Sequence, residues 1–269
     1  MRRTTIILFG LVLSLLLFSV IFVFYLKNFE PEREFCQTGP DSHFAGKFDS
    51  INVATCKVLK LVDNNVGNSG RIVGQLNVLP CRNLTEKGKF YFPVEFASLI
   101  TRQVKGDTLV LRFDLKNKKA EALFSKKHSR TFFPDFYLYT DSASRIFLHN
   151  EIGKFNILLK GVTLHEASVY ASHSQATIDS CRIERLNVAG NYPDINLLRS
   201  TIKTFNLDLD CLYNWKIDNC KINEENLTGG GNHQIFLPKS ECRKMTWLGK
   251  RKGATLNVSL ESDKVSIKF

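Results

Sequence analysis

Residues 157–169 read ILLKGVTLHEASV, and the same phrasing returns as ATIDSCRIERLNV (176–188), INLLRSTIKTFNL (195–207) and WKIDNCKINEENL (215–227). The period is 19 to 20 residues. Each copy holds three pairs of inward residues, with one residue inside a pair and two between pairs. The first copy gives Ile157/Leu159, Val162/Leu164 and Ala167/Val169, and the second Ala176/Ile178, Cys181/Ile183 and Leu186/Val188. The third gives Ile195/Leu197, Ser200/Ile202 and Phe205/Leu207, and the fourth Trp215/Ile217, Cys220/Ile222 and Glu225/Leu227. Residues two apart on a strand share a face, so each pair reads as a very short strand turned toward a core. Polar couples such as His165-Glu166, Asp179-Ser180, Glu184-Arg185 and Lys203-Thr204 fall at the corners. Longer connectors at 170–175, 189–194 and 208–214 close the coils, the second with the turn formers Gly190, Asn191 and Pro193. One copy is then one coil of a β-solenoid, stacked about 4.8 Å from the next.

A helix could imitate this spacing for one window, but Val, Ile, Thr and Asn are frequent and Gly and Pro interrupt the connectors. Asn187, Asn206 and Asn226 share one repeat position, which allows either a ladder of side-chain amides along the stack or three outward polar residues. Cys181, Ser200 and Cys220 share another. The two cysteines would stand two coils apart, roughly 9.6 Å, beyond disulfide reach, and read as small core residues.

Residues 6–26 form a charge-free apolar run long enough, as a helix of about 31 Å, to cross a bilayer. Arg2 and Arg3 before it favour a cytoplasmic N-terminus. The run is long for a signal peptide, and Phe22 to Tyr25 and the residues after them offer no small-residue cleavage site. The expected organisation is an uncleaved anchor over 1–28, a polar tether over 29–49 and one all-β solenoid domain over 50–269 outside the cytoplasm.

The chain of 269 residues carries 37 Lys+Arg against 26 Asp+Glu, a formal net charge of +11. Basic residues gather at Lys116-Asn117-Lys118-Lys119, Lys126-Lys127-His128 and Lys250-Arg251-Lys252. Such clusters suit solvated loops or an anionic surface. No nucleic-acid motif accompanies them, and the expected compartment argues against that partner. The seven cysteines have no zinc spacing and no Cys-x-x-Cys. Cys36, Cys56, Cys81, Cys211 and Cys242 are candidates for pairing, in no order the sequence decides. Asn83, Asn226 and Asn257 match the N-glycosylation pattern, but a glycan on Asn226 would disrupt the stacked position.

Toward the N-terminus, strands are expected near 51–61, 72–79 and 109–115, the last with clean alternation of Leu109, Leu111, Phe113 and Leu115. Phe136/Leu138, Asp141/Ala143 and Ile146/Leu148 suggest a coil directly before the four clear ones. Leu256, Val258 and Leu260, then Val265, Ile267 and Phe269, suggest a closing hairpin that caps the stack. This order resembles the auto-transporter adhesin head (GIN, DUF2807) domain family of Bacteroidetes envelope proteins. The matching stretches are Gly74-Gln75-Leu76-Asn77-Val78, then Lys105-Gly106-Asp107-Thr108-Leu109-Val110-Leu111, then the coils and the closing hairpin. The resemblance covers most of the chain beyond residue 50. It implies a β-solenoid with an adhesive or envelope role and no defined activity. The coils also resemble pentapeptide repeats, but the six- or seven-residue connectors break that match.

Catalysis has one foothold. Asp208 and Asp210 would share a side of an extended connector, with Asp218 and Glu224 on the next coil, as in carbohydrate-active enzymes that use paired carboxylates. Nothing in the sequence places them in a cleft, and solvated corner acids are the preferred reading. His165-Glu166 lacks the second histidine of a metalloprotease helix, and Gly229-Gly230-Gly231-Asn232-His233 lacks the Lys-Ser/Thr of a phosphate loop. Phe132, Phe133, Phe136 and Tyr137 around Pro134 read as aromatic core ahead of a sugar or partner patch. No catalytic, cofactor or metal residues are therefore assigned. The expected function is a membrane-anchored, non-enzymatic envelope module for binding, adhesion or scaffolding. Its partners would be an envelope protein or an anionic glycan, with a glycan-directed lyase or hydrolase as the alternative.

Overall fold

Side chains that alternate in and out along short extended segments can bury their apolar half only if the segments stack, and the chain does this over most of its length. The structure, a computed structural model, describes residues 48–53, 56–63, 71–116, 118–127, 131–132, 134–141, 144–237 and 241–260. The expected anchor, the tether up to residue 47 and the second arm of the closing hairpin lie outside the described residues.

The first strands are β1 (Phe48–Asn52), β2 (Val58–Asp63), β3 (Arg71–Ile72), β4 (Gly74–Pro80), β5 (Lys89–Pro93), β6 (Ile100–Lys105) and β7 (Thr108–Phe113). Helix α1 (Lys118–Lys127) follows. Next come β8 (Thr131–Phe132), β9 (Asp135–Thr140), β10 (Ser144–Asn150), β11 (Phe155–Lys160), β12 (Thr163–Ser172), β13 (Gln175–Asp179) and β14 (Arg182–Asn191). The last are β15 (Asp194–Leu198), β16 (Thr201–Asp208), β17 (Asn214–Asp218), β18 (Lys221–Gly229), β19 (Asn232–Leu237), β20 (Glu241–Gly249) and β21 (Thr255–Leu260).

Two parallel-rich sheets face each other across the core. One runs β1-β5-β9-β4-β11-β13-β15-β17 and the other β20-β18-β16-β14-β12-β10-β2-β7-β6. Together they make a nearly all-β solenoid of about five turns. Of the inward positions read from the repeat, only Trp215 is partly exposed; the rest are buried, from Ile157 to Leu227, including Ser200 and Glu225. Each large aliphatic side chain so buried contributes about 1.5–3 kcal/mol, which makes this column the main source of stability.

The corners differ from expectation in kind. The second and third pairs of each copy do not form separate strands. They lie on one long strand (β12, β14, β16 or β18) that bends where His165-Glu166, Glu184-Arg185 and Lys203-Thr204 were expected to turn. The pairing ladder omits His165, Glu184, Lys203 and Asn223 there. Leu164 and Ala167, three apart, therefore both face inward. The sharp corners lie between the first and second pairs and use left-handed backbone at Gly161, Ser180, Arg199 and Asn219, with φ from 48° to 67°. A second sharp corner follows the long strands, again left-handed, at Lys154, His173 and Tyr192. In the next coil a 3₁₀ turn over Leu209–Cys211 replaces it.

The expected coil at 136–148 is only half right. Phe136, Leu138, Ile146 and Leu148 are buried, and β10 pairs directly with β12. In the other sheet, however, β4 lies between β9 and β11, because its own inward Leu76 and Val78 fill that level. The all-β expectation also missed α1, whose Ala120 is fully buried. β21 pairs in parallel with β19, so the first arm of the expected cap continues the stack. Phe136 sits among Phe90, Phe96, Phe113 and Phe155, and Tyr137 is buried, as the core reading expected of these two; Phe133 lies outside the described residues.

Candidate functional site

Parallel stacking turns each repeat position into a row along the solenoid. The row after the long strands gathers most of the chemistry. Its backbone is continuous: Lys154 N–H donates to His173 O, His173 N–H to Asn191 O and Tyr192 N–H to Cys211 O. One residue on, Tyr213 N–H donates to Pro193 O. Farther along the same edge, Gly230 N–H donates to Asp210, and Lys250 N–H to Gly229 O.

Three rings stand on this row. His173 and Tyr192 stack at 5.8 Å between centroids and 27° between planes. Tyr192 is 56% exposed and Tyr213 76% exposed. His173 Nε2 lies 3.2 Å from Asn191 Nδ2. His173 and Tyr192 hold φ of 47° and 53°, a region that bulky side chains adopt at a cost. The sequence reading missed these residues, since a hydrophobic period says nothing of what points outward. The signal available was the recurrence of Lys154, His173 and Tyr192 at 19-residue intervals.

Beyond the rings lies a charged cluster built from the expected acids. Lys250 Nζ is 2.5 Å from both oxygens of Asp208 and 3.1 Å from Asp210 Oδ2. Gly230 N–H donates to the Asp210 carboxylate at 2.7 and 2.8 Å, and His233 Nε2 lies 2.9 Å from Asp210 Oδ1. Arg251 Nε donates to Gly230 O. Trp247 packs edge-on against His233 at 5.9 Å. The Gly230 N–H first, and Lys250 after it, hold the Asp210 carboxyl far below the usual carboxylate range. Hydrogen bonding to Asp208 raises the Lys250 ammonium.

This electrostatics works against acid–base catalysis. A glycosidase needs one carboxylic acid whose pKa is raised so that it holds a proton near neutrality. Asp210 is driven the other way, and both carboxylates are tied to one lysine. Asp218 is exposed, and Glu224 meets Lys244 at 3.6 Å. His165 Nδ1 lies 2.7 Å from Glu184. Among the described residues no group of three or more His, Cys, Asp and Glu could hold a metal ion.

Two further rows are structural. Asn206 Nδ2 donates to Asn187 Oδ1 at 2.6 Å, Asn226 Nδ2 to Asn206 Oδ1 at 2.8 Å and Asn187 Nδ2 to Glu166 at 3.3 Å, so the amide ladder forms. Cys181 N–H donates to Ser200 Oγ, which itself donates to Leu198 O, and Ser200 N–H points at Cys220 Sγ. Both cysteines are free thiols, as are Cys81 and Cys211.

No family model matches the chain, so the DUF2807 likeness stays a resemblance. No curated protein matches it either. Among solved structures the chain is similar to a "putative adhesin" from Parabacteroides merdae, at 12% identity and TM-score 0.33, over 80% of this chain and 97% of that one. A "putative cell adhesion protein" from Clostridium sporogenes matches at 12% identity and TM-score 0.25, over 80% and 98%. A "putative adhesin" from Parabacteroides distasonis matches at 10% identity and TM-score 0.33, over 79% and 96%.

Proposed function

We propose that the chain is a membrane-anchored, non-enzymatic binding module that presents its aromatic corner row outside the cytoplasm. The observation that carries this is the row itself: His173, Tyr192 and Tyr213 stand exposed in successive coils of a rigid stack. Two of them occupy left-handed backbone that a glycine would occupy without cost. Exposed aromatics held in place by a scaffold, with hydrogen-bonding Asn191 beside them, are the usual makings of a recognition surface. The Asp208–Lys250–Asp210 cluster, in which one lysine ties up both carboxylates, supports binding over catalysis. The uncharged run at 6–26, with Arg2 and Arg3 before it, supports anchoring from the cytoplasmic side.

The test is adhesion by cells that display the full chain, compared with cells displaying the Tyr192→Gly/Tyr213→Ala variant at equal surface level. Loss of adhesion in the variant is the expected result. Equal adhesion, or glycan breakdown abolished by Asp208→Ala or Asp210→Ala, overturns the reading. N-terminal sequencing of the mature chain checks the anchor, which is refuted by a start near residue 27 or later.

A further inference from the structure

We infer that the corner row binds an acidic polysaccharide laid along the solenoid axis, with sugar rings on Tyr192 and Tyr213. The inference rests on the binding-module reading and names its ligand class. From Lys154 to Lys250 the row spans five coil steps, roughly 24 Å, a length suited to a short run of linked sugars. The face of a pyranose ring carries axial C–H groups and is apolar, so it packs on a phenol ring while its rim hydroxyls stay in water. Tyrosine suits this contact, with a large apolar ring and a polar tip. Asn191 stands beside His173 within reach of such hydroxyls.

Charge selects an acidic chain over a neutral one. Among the described residues neither Lys154 nor Lys252 takes part in an ion pair, and both are exposed, Lys154 at one end of the row and Lys252 two residues past Lys250 at the other. Along the same edge Glu151 meets Lys60 at 2.6 Å, Asp208 and Asp210 share Lys250, and Asp194 beside the rings is outnumbered by Lys154, Arg251 and Lys252, which leaves the row net positive. The row therefore offers apolar rings at its middle and uncommitted cations at its ends, the complement of a glycan bearing carboxylate or sulfate groups.

The backbone supplies independent support. The other sharp corner of each coil meets the same left-handed demand with Gly161, Ser180 and Asn219 in three of four copies, residues that tolerate it or are small. The ring row instead places His173 and Tyr192 there. A strained aromatic that adds no core burial is best explained by what its ring does outside.

The test uses the full chain in detergent micelles, titrated by calorimetry with polygalacturonate oligosaccharides and, in parallel, neutral cello-oligosaccharides. Binding of the acidic series alone is expected, weakened by about three- to tenfold in Tyr192→Gly and in Tyr213→Ala. It should also weaken as salt rises. Tyr192→Gly is expected to keep or raise the melting temperature while it loses affinity, a split that a purely structural tyrosine would not give. No binding of either series, or binding untouched by both substitutions, overturns the inference. If the displayed chain still confers tyrosine-dependent adhesion while no oligosaccharide binds, the ligand class is wrong and the module stands. If adhesion is also indifferent to the tyrosines, both readings fail.

Discussion

Asn206 donates its side-chain amide to Asn187 one coil away at 2.6 Å and accepts the amide of Asn226 from the other side at 2.8 Å. The three residues lie in register across β14, β16 and β18, so the ladder locks the coils against sliding. Half-buried amides paired in this way are retained because each partner would otherwise lose its bond without regaining water.

Asn206 is the middle rung and takes part in two of these bonds, whereas Asn226 takes part in one. Asn206→Ala should therefore lower the free energy of unfolding by about 1–3 kcal/mol and Asn226→Ala by about 0.5–1.5 kcal/mol. Urea unfolding followed by circular dichroism checks this. Equal costs for the two would show that the ladder is not what holds these residues.

The sharp corners make a paired prediction of opposite sign. Gly161 has φ of 67°, and a Cβ added there would meet no atom within 4 Å, so Gly161→Ala tests backbone strain alone. It should cost about 1 kcal/mol. Lys154 holds φ of 64° with its side chain in solvent, so Lys154→Gly should be neutral or stabilising by up to about 0.5 kcal/mol. Thermal melts of the two variants settle the matter, and a stabilised Gly161→Ala would sink the account.

Why some of this was legible in the sequence and some was not follows from which residues the core constrains. Ile157 through Leu227 had to face inward at fixed spacing, so the repeat located them. Where a strand bends is a weaker constraint: two outward residues can mark a sharp corner, as at Asp179-Ser180, or a gentle bend within one strand, as at Glu184-Arg185, and their polarity is alike. The place of β4 between β9 and β11 depends on pairing across more than 50 residues of chain, which no local period encodes. Asp208 and Asp210 were noticed as a pair, but their partner Lys250 arrives from 40 or more residues away by stacking. Tyr192 and Tyr213 escaped because solvent constrains identity hardly at all.

Thiol chemistry should divide the cysteines. Burial pushes the Cys181 thiol up to about 11, and Cys220 is also raised by burial. The thiolate is the reactive form, so neither should alkylate at pH 8 in the folded protein. Cys56 and Cys81, only half-buried, should label first. Peptide mapping after brief iodoacetamide treatment reads this directly. Native labelling of Cys181 as fast as that of Cys56 would mean the coil at the Ser180 corner opens far more readily than its burial implies.

The last coils should be the acid-sensitive part of the molecule. Asp210 joins the connector after β16 to Gly230, His233 and Lys250, and its carboxyl is held far below the ordinary range. A carboxyl whose folded pKa is depressed contributes stability that is present above its unfolded value, about 3.9, and is lost as pH falls from there toward the folded value. Lys250 has the opposite sense. Its raised pKa contributes stability that is full below the unfolded value, about 10.4, and is lost as pH rises through the folded value. The cluster is thus strongest across the neutral range and weakens at both extremes. Asp179, lowered by its hydrogen bond from Arg199, adds to the acid loss but sits at the other sharp corner. Trp247 against His233 reports on the last coils once Trp215 is replaced by phenylalanine. Below about pH 4 the Trp247 emission should shift as the C-terminal coils loosen, and urea midpoints should fall with it. Asp210→Asn should show a lower midpoint at pH 7 and a shallower fall on acidification. If its midpoint falls as steeply with acid as the parent's, the acid sensitivity lies elsewhere and this cluster is not the clasp.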